Sequence, residues 1–302
     1  MKNIATLRNK LVVILGATAS GKTALSIKLA KKYNGEVVSA DSRQVYKGLD
    51  IGSAKITKKE MQGIPHHLLD VANPKRKFTV SQYQKLALRA VKDIQKRGKI
   101  PFLVGGSPFY IKAVADGIII PEIKPDWELR KKLEKKSLEE LYKILLEKDS
   151  ERAKKIDRQN PRRLIRALEI VLTTKMPVPK LNDKTPQFNV LEIGVEKSAE
   201  DLKKNIKKRI LKRLKNNLLI DEVEKLRASG LSWKRLEEFG LEYRFVAQYL
   251  QNKITCQEMI YKIQLETEHF VKRQMTWFKR DERISWIKNN SEASAIIDKF
   301  LK

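Results

Sequence analysis

Cysteine occurs once in 302 residues, at Cys256, and histidine three times. One thiol excludes a disulfide framework and any cysteine-rich zinc site. Cys256 is expected to be a packed or inert surface thiol. No run approaches the ~20 apolar residues needed to cross a bilayer. The apolar stretch "LVVILGA", Leu11 to Ala17, passes straight into a glycine loop without a leader's cleavage signature. The expectation is a soluble, cytoplasmic chain with no membrane partner. No internal repeat or low-complexity segment is visible. Acids are also scarce: 36 Asp and Glu face 64 Lys and Arg, a formal charge of +28. A compositional bias toward Lys would not require so few acids. A polyanion partner, most simply nucleic acid, accounts for the imbalance, because neutralising phosphates releases counterions.

What is present is a chain that is 41% hydrophobic and 33% charged, enough for one large core or two modest ones. Leu11 to Leu15 reads as a buried parallel strand. Thr23 to Tyr33 reads as a helix with Lys toward its end. "EVVSAD" is a second strand ending on Asp41, and "SQYQKLALRAVKDIQKRGK" an amphipathic helix stopped by Gly98. "IPFLVGG" is a third strand opening into a glycine turn. This alternation predicts an α/β fold, a parallel sheet flanked by helices with its active loops at the strands' C-terminal ends.

After "DGIIIPEIKPD", Asp116 to Asp126, the texture changes. "WELRKKLEKKSLEELYKILLEKDSERAKKI" reads as nearly continuous helix, and "PRRLIRALEIVLTT" as another started by Pro161. The Pro-bearing "KMPVPKLNDKTPQ" reads as a linker. Residues 121–187 are therefore expected to form a helical insertion domain, with 1–120 and 188–302 forming the core domain. "FNVLEIGV" returns to the sheet, and one long helix is expected from about Glu200 to Ala228. On its wheel Leu202, Ile206, Ile210 and Leu214 form a stripe, with Arg213 inside it and Arg209 at its edge. Such arginines either pack their stems with wet heads or face a phosphate.

Gly16-Ala17-Thr18-Ala19-Ser20-Gly21-Lys22-Thr23 fits G-x-x-x-x-G-K-[ST] between strand and helix. The glycines let backbone N–H groups close on phosphate oxygens, and the helix N-terminus adds its positive end. Lys22 supplies a point charge, and the Thr23 hydroxyl can ligate Mg²⁺. The usual companion acid is missing, since "FLVGGS" ends without one. Asp41 can hold metal, act as a base, or cap a turn. Ser42, Arg43 and Gln44 add a hydroxyl, a guanidinium and an amide beside it.

In order along the chain stand "GATASGKTALS", "SADSRQVYKGLDIGSAK", "GIPHHLLDV", "FTVSQYQKLA", "PFLVGGSPFYIKAV", "NPRRLIRALEI", "KKRILKRLKNNLLIDEVEKL" and "KRQMTWFKR". Together they resemble the bacterial tRNA dimethylallyltransferase (tRNA isopentenyltransferase) family over nearly the whole chain. The resemblance implies a P-loop NTPase-like core whose loop holds the diphosphate of dimethylallyl diphosphate, with Mg²⁺, rather than splitting ATP. It implies attack by N6 of adenosine 37 in tRNAs reading codons that begin with U, with Asp41 as the base. It implies Arg209 on the leaving diphosphate, and Ser107 where the family carries Thr. It implies tRNA contacts from Asp41, Ser42, Arg43, Gln44 and Ser107. Arg162, Arg163, Leu164, Ile165 and Arg166 lie in a further block that touches tRNA in the family, and Arg130 is another implied contact. The partner is then the anticodon stem-loop with A36-A37-A38, bound by a monomer. His66 and His67 fit the family's pattern and are assigned structural roles. The eukaryotic members' zinc finger is not expected with one cysteine. The rivals are an isopentenyltransferase acting on free AMP or ADP, a P-loop small-molecule kinase using ATP, and a non-catalytic RNA-binding module. Neither the free-nucleotide enzyme nor the kinase calls for the broad basic excess, and the module leaves the phosphate loop unemployed.

Overall fold

A computed structural model describes residues 9–121, 123, 125–179 and 187–302. The chain divides into two compact units, Met1–Gly117 with Pro186–Lys302, and Ile118–Thr185.

The first unit is built on six strands: β1 (Lys10–Leu15), β2 (Gly35–Ala40), β3 (His66–His67), β4 (Ile100–Gly105), β5 (Asn189–Val195) and β6 (Ser285–Ile287). All pair in parallel, in the order β3-β2-β4-β1-β5-β6. β2 and β4 are buried at every position. That is why β4 reads as an unbroken apolar run rather than an alternating one, while β2 also buries Glu36 and Ser39. The pleat nevertheless divides β1 between two cores. Leu11, Val13 and Leu15 join one, and Val12 and Ile14 the other.

Helices cover both faces. α1 (Lys22–Lys32) leaves the glycine loop, and α2 (Lys58–Met61) is a single capped turn. α3 (Val80–Lys96) starts with a Thr79–Gln82 capping box, and Gly98 follows its end at φ +69°. α4 (Pro108–Ala115) has Pro at its first position. Beyond the inserted unit come α9 (Ala199–Leu214), α10 (Leu218–Ala228), α11 (Trp233–Glu238), α12 (Leu241–Leu250), α13 (Cys256–Phe278) and α14 (Asn290–Phe300). The inserted unit holds α5 (Trp127–Leu133), α6 (Leu138–Lys148), α7 (Ser150–Lys155) and α8 (Pro161–Thr174). Val12, Ile14, Val37 and Phe102 pack against Leu25 and Leu29 of α1 and Ile297 of α14. Val38, Leu103 and their neighbours pack against α3, α4, α10, α12 and α13.

The expected single helix from Glu200 to Ala228 is two. α9 and α10 are separated by a short 3₁₀ turn in which Asn216 and Asn217 are left-handed, φ +54° and +55°. Asn tolerates that conformation because its short amide bonds locally. The break lets α10 turn back over the core with Leu219, Val223 and Leu226 buried.

In the second unit the run expected as one helix is three. Ser137 closes a capping box with Glu140, and Asp149 caps the next helix through Arg152 N. Each cap satisfies orphan amides that a continuous helix would not have. Leu133, Leu141, Leu145, Ala153, Leu164, Ile165 and Leu168 form this unit's own core. Most of the expected linker, residues 180–186, lies outside the described residues.

Candidate active site

Three strand ends deliver the site. β1 runs into the glycine loop, β2 into Asp41, and β4 into Gly106-Ser107. β4 lies between β1 and β2, so the three loops emerge side by side on the C-terminal edge. They line a cavity of about 690 Å³ with residues from α9, α12 and α13.

The loop's backbone explains its glycines. Gly16 has φ +145°, and a Cβ there would sit 2.9 Å from Val195 O. Gly21, at φ +95°, is the residue before α1 and has no side chain to cap it, so the first amides of α1 are left for a ligand. Lys22 Nζ donates to Ala17 O within the loop. Burial lowers the Lys22 ammonium most, Asp41 raises it and Arg209 lowers it again, leaving it at about 8. The Ser20 hydroxyl is buried with no hydrogen-bond partner among the described residues. Thr18, Ala19, Gly21, Lys22 and Thr23 line the cavity; Gly16, Ala17 and Ser20 shape the loop behind them.

Asp41 serves a turn, as one of the open readings allowed. Its Oδ1 accepts from Arg43 N at 2.8 Å and Gln44 N at 3.3 Å. Both bonds fall on one oxygen, so Oδ2 keeps its lone pairs for other work. The Ser107 Oγ accepts from Ser42 N at 3.1 Å, which ties the β4 turn to the Asp41 turn. Arg43 Nε donates to Phe239 O at 2.6 Å. The Gln44 amide is engaged within the protein: Nε2 donates to Ser53 O and Ala54 O, and Oε1 accepts from Ser39.

α9 closes the cavity from the other side. Arg209 lines it, and its Nε is buried without an acceptor among the described residues. Burial and Arg213 lower its guanidinium, countered by Glu242 and Asp41, to about 10, so it stays charged at neutral pH. Arg213 is 7% exposed and pairs with buried Glu242, which makes it a structural arginine whose charge is spent. Asn205 donates to Ala19 O at 3.2 Å and ties α9 to the glycine loop.

Several cavity residues lay outside the expected set. Gln274 of α13 is 3% exposed; its Oε1 accepts from Thr18 N at 2.9 Å and its Nε2 donates to Gly106 O at 2.6 Å. One amide thus braces two of the three loops. The signal was present in "KRQMTWFKR", yet residue type alone does not mark which member turns inward. Lys208, Lys212, Arg244 and Arg273 also line the cavity and add to its positive field. His67 binds buried Glu36 at 2.7 Å, in line with a structural role. His66 donates through Nδ1 to Ile64 O at 2.8 Å, but it also lines the cavity and leaves Nε2 buried without a partner.

The remaining expected contacts belong to the second unit. Leu164 is fully buried and Ile165 is 8% exposed in that unit's core, so as side-chain contacts to RNA they are corrected. They sit on the apolar stripe of α8, while Arg162 and Arg163 lie on its exposed face. Arg130 and Arg166 converge on Glu169, which is 0% exposed. Arg130 binds it through Nε at 2.8 Å and Nη2 at 2.7 Å, and Asp126 N donates to it at 2.8 Å. Burial alone would raise the Glu169 carboxyl, but these bonds outweigh it and hold it below its ordinary value. Among the described residues no group of His, Cys, Asp and Glu could hold a metal unaided, and no helix is long and apolar enough to cross a membrane.

A sequence profile described as IPP transferase matches residues 44–281. A tRNA dimethylallyltransferase of Carboxydothermus hydrogenoformans is 41% identical over 292 residues, covering 94% of this chain and 93% of that one. The crystal structure of the full-length tRNA isopentenylpyrophosphate transferase of Bacillus halodurans superposes with a TM-score of 0.73 at 35% identity, covering 97% of each chain. A eukaryotic dimethylallyltransferase captured acting on tRNA superposes with a TM-score of 0.78 at 25% identity, covering 97% of this chain and 77% of that one. With its phosphate loop, its acid-ended second strand and its strand order in place, the chain belongs to the IPP transferase family, among the tRNA dimethylallyltransferases.

Proposed function

We propose that this chain transfers a dimethylallyl group from dimethylallyl diphosphate to N6 of adenosine 37 in tRNAs reading codons that begin with U, in the cytoplasm and as a monomer. The observation that carries the reading is one cavity shared by Lys22, Asp41 and Arg209, in which the Arg209 Nε–H has no acceptor. A diphosphate seated on the loop amides supplies that acceptor. Lys22 and Arg209 then offset the charge that grows as the C1–O bond breaks. N6 forms its bond to C1, and its proton passes to Asp41, while diphosphate leaves. Ser107, held against the Asp41 turn, orients the adenine amine with its hydroxyl. A target base inside a stack cannot reach this edge, so it is taken out of the anticodon loop. Ser42, Arg43 and Gln44 shape the wall that meets it and its neighbours A36 and A38. Arg162 and Arg163 of the inserted unit carry exposed charge toward the stem's phosphates, with Arg130 and Arg166 held by Glu169 beside them.

The Thr23 hydroxyl fits Mg²⁺ by its chemistry. Thr23 lines the cavity with a hard hydroxyl donor, and Mg²⁺ is satisfied by one or two protein oxygens together with phosphate and water. When bound, the ion would neutralise part of the diphosphate charge.

The test is incubation with labelled dimethylallyl diphosphate, Mg²⁺ and unmodified tRNA bearing A36-A37-A38, with free AMP as a parallel acceptor. Label should enter tRNA at adenosine 37 and not AMP. Equal labelling of AMP, or none of tRNA, would sink the reading.

A further inference from the structure

Glu222 of α10 lies outside the residues given a chemical role above, yet every acceptor position of its carboxylate is used. Oε2 accepts from Asp50 N at 2.9 Å and Ile51 N at 2.6 Å. Oε1 accepts from Gly52 N at 3.0 Å and from the Tyr243 hydroxyl at 2.8 Å. Three consecutive amides converging on one anion is the arrangement a backbone offers to a phosphate. Here the protein's own carboxylate fills it. Gly52 is packed so closely that a Cβ would lie 2.5 Å from Tyr243 Cζ, so the loop is seated on the Tyr243 ring as well as on the carboxylate.

The far end of the same loop leads to the site. Ser53 O and Ala54 O accept from Gln44 Nε2, and the Gln44 backbone N–H donates to Asp41 Oδ1. The path from Glu222 to Asp41 is therefore continuous: carboxylate, amides of 50–52, carbonyls of 53–54, Gln44, Asp41. Tyr243 and Gly52 both line the cavity. The neighbouring Glu242 holds Arg213, and Phe239 O holds Arg43. The turn into α12 thus fastens α9, α10 and the Asp41 turn together.

We propose that Glu222 is a positioning residue for the adenosine-facing wall: it sets the place of residues 41–44 through the backbone of 50–54 without touching the substrate itself. The inference rests on the proposed function for the identity of the substrate, and on geometry alone for the clamp.

Glu222→Gln keeps the shape but replaces one acceptor oxygen with a donor, which cannot face an amide N–H. Losing a charge-assisted bond is worth about tenfold in an equilibrium. In Glu222→Gln the amides of Asp50, Ile51 and Gly52 should exchange with deuterium about tenfold faster than in the parent protein, and KM for tRNA should rise by about the same factor. KM for dimethylallyl diphosphate should stay within about twofold, because the glycine loop does not hang from this clamp. Glu222→Asp, which withdraws the carboxylate by one methylene but keeps its charge, should move tRNA KM in the same direction and serves if the Gln variant does not fold. Faster exchange with unchanged tRNA KM overturns the positioning role, as does a raised tRNA KM with unchanged exchange. A kcat loss with both KM values unchanged reports fewer folded molecules and overturns it too. Parent protein that labels no tRNA overturns the proposed function instead, and the exchange measurement still decides the clamp.

Discussion

A diphosphate in the glycine loop holds the Lys22 proton more tightly than the protein alone does, so binding is linked to pH. In the free protein Lys22 loses its proton near pH 8, and in the complex only at higher pH. Affinity for dimethylallyl diphosphate is therefore expected to be level below pH 8 and to fall by up to about tenfold per unit above it. Calorimetric titration across pH 7 to 9 checks this, and Lys22→Arg should flatten the fall because a guanidinium, that of Arg209 at about 10 included, stays charged over that range. Arg209→Ala should weaken use of the diphosphate far more than binding of tRNA, since its unpaired Nε–H is the donor the phosphate would meet. Asp41 carries two duties that two variants separate. Asp41→Asn retains an oxygen for the Arg43 and Gln44 amides and removes the base, so single-turnover transfer should drop by about 100-fold or more with tRNA affinity nearly unchanged. Asp41→Ala should abolish transfer and also loosen the turn, visible as faster amide exchange at Arg43 and Gln44. Arg209 stood out only as an arginine at the edge of an apolar stripe until the family resemblance implied its role, whereas the glycine loop and the acid after β2 were legible as residue types at set spacings. Gln274 and Glu222 were not, because an amide or a carboxylate acquires its meaning from which backbone groups it meets.

At the level of elements, buried runs and helical periodicity located β1, β2, β4, β5, α1 and α3 directly. The two misjudged stretches share a cause. Apolar periodicity continues across a cap or a left-handed pair, so Ser137, Asp149 and Asn216-Asn217 broke helices that the pattern alone joined. β5 carries one residue that defies its surroundings. Glu192 is 6% exposed in the sheet, and burial pushes its carboxyl up to about 7, with Asp281 and Asp116 adding to the rise and Arg283 and Lys112 opposing it. A raised carboxyl pKa stabilises the fold fully below its unfolded value of about 4.5, and that contribution is lost as pH rises through 7. Glu192→Gln removes the titration while keeping the shape. Its melting temperature should exceed the parent's at pH 8, by the equivalent of about 1–3 kcal/mol, and match it closely near pH 5. Thermal melts at the two pH values check the sign.

For the molecule as a whole, the formal charge of +28 sets how it meets a polyanion. Affinity for tRNA is expected to fall by about 100-fold or more between 50 and 200 mM salt, with a linear plot of log affinity against log salt. Lys208→Ala, which removes one cavity-lining cation, should reduce that slope by about one without changing which tRNA is preferred. A flat salt response would leave the basic surface without its partner. The bond from Gln274 to Thr18 and Gly106 also has a meaning in time. A ribosome releases the glycine loop well before Gln274, which follows Thr18 by 256 residues. β1 must likewise wait for β5, which follows the whole inserted unit, before both its edges are paired. The phosphate cradle is thus made early and finished late: it exists first as a motif, and it becomes a braced site only once α13 has been made.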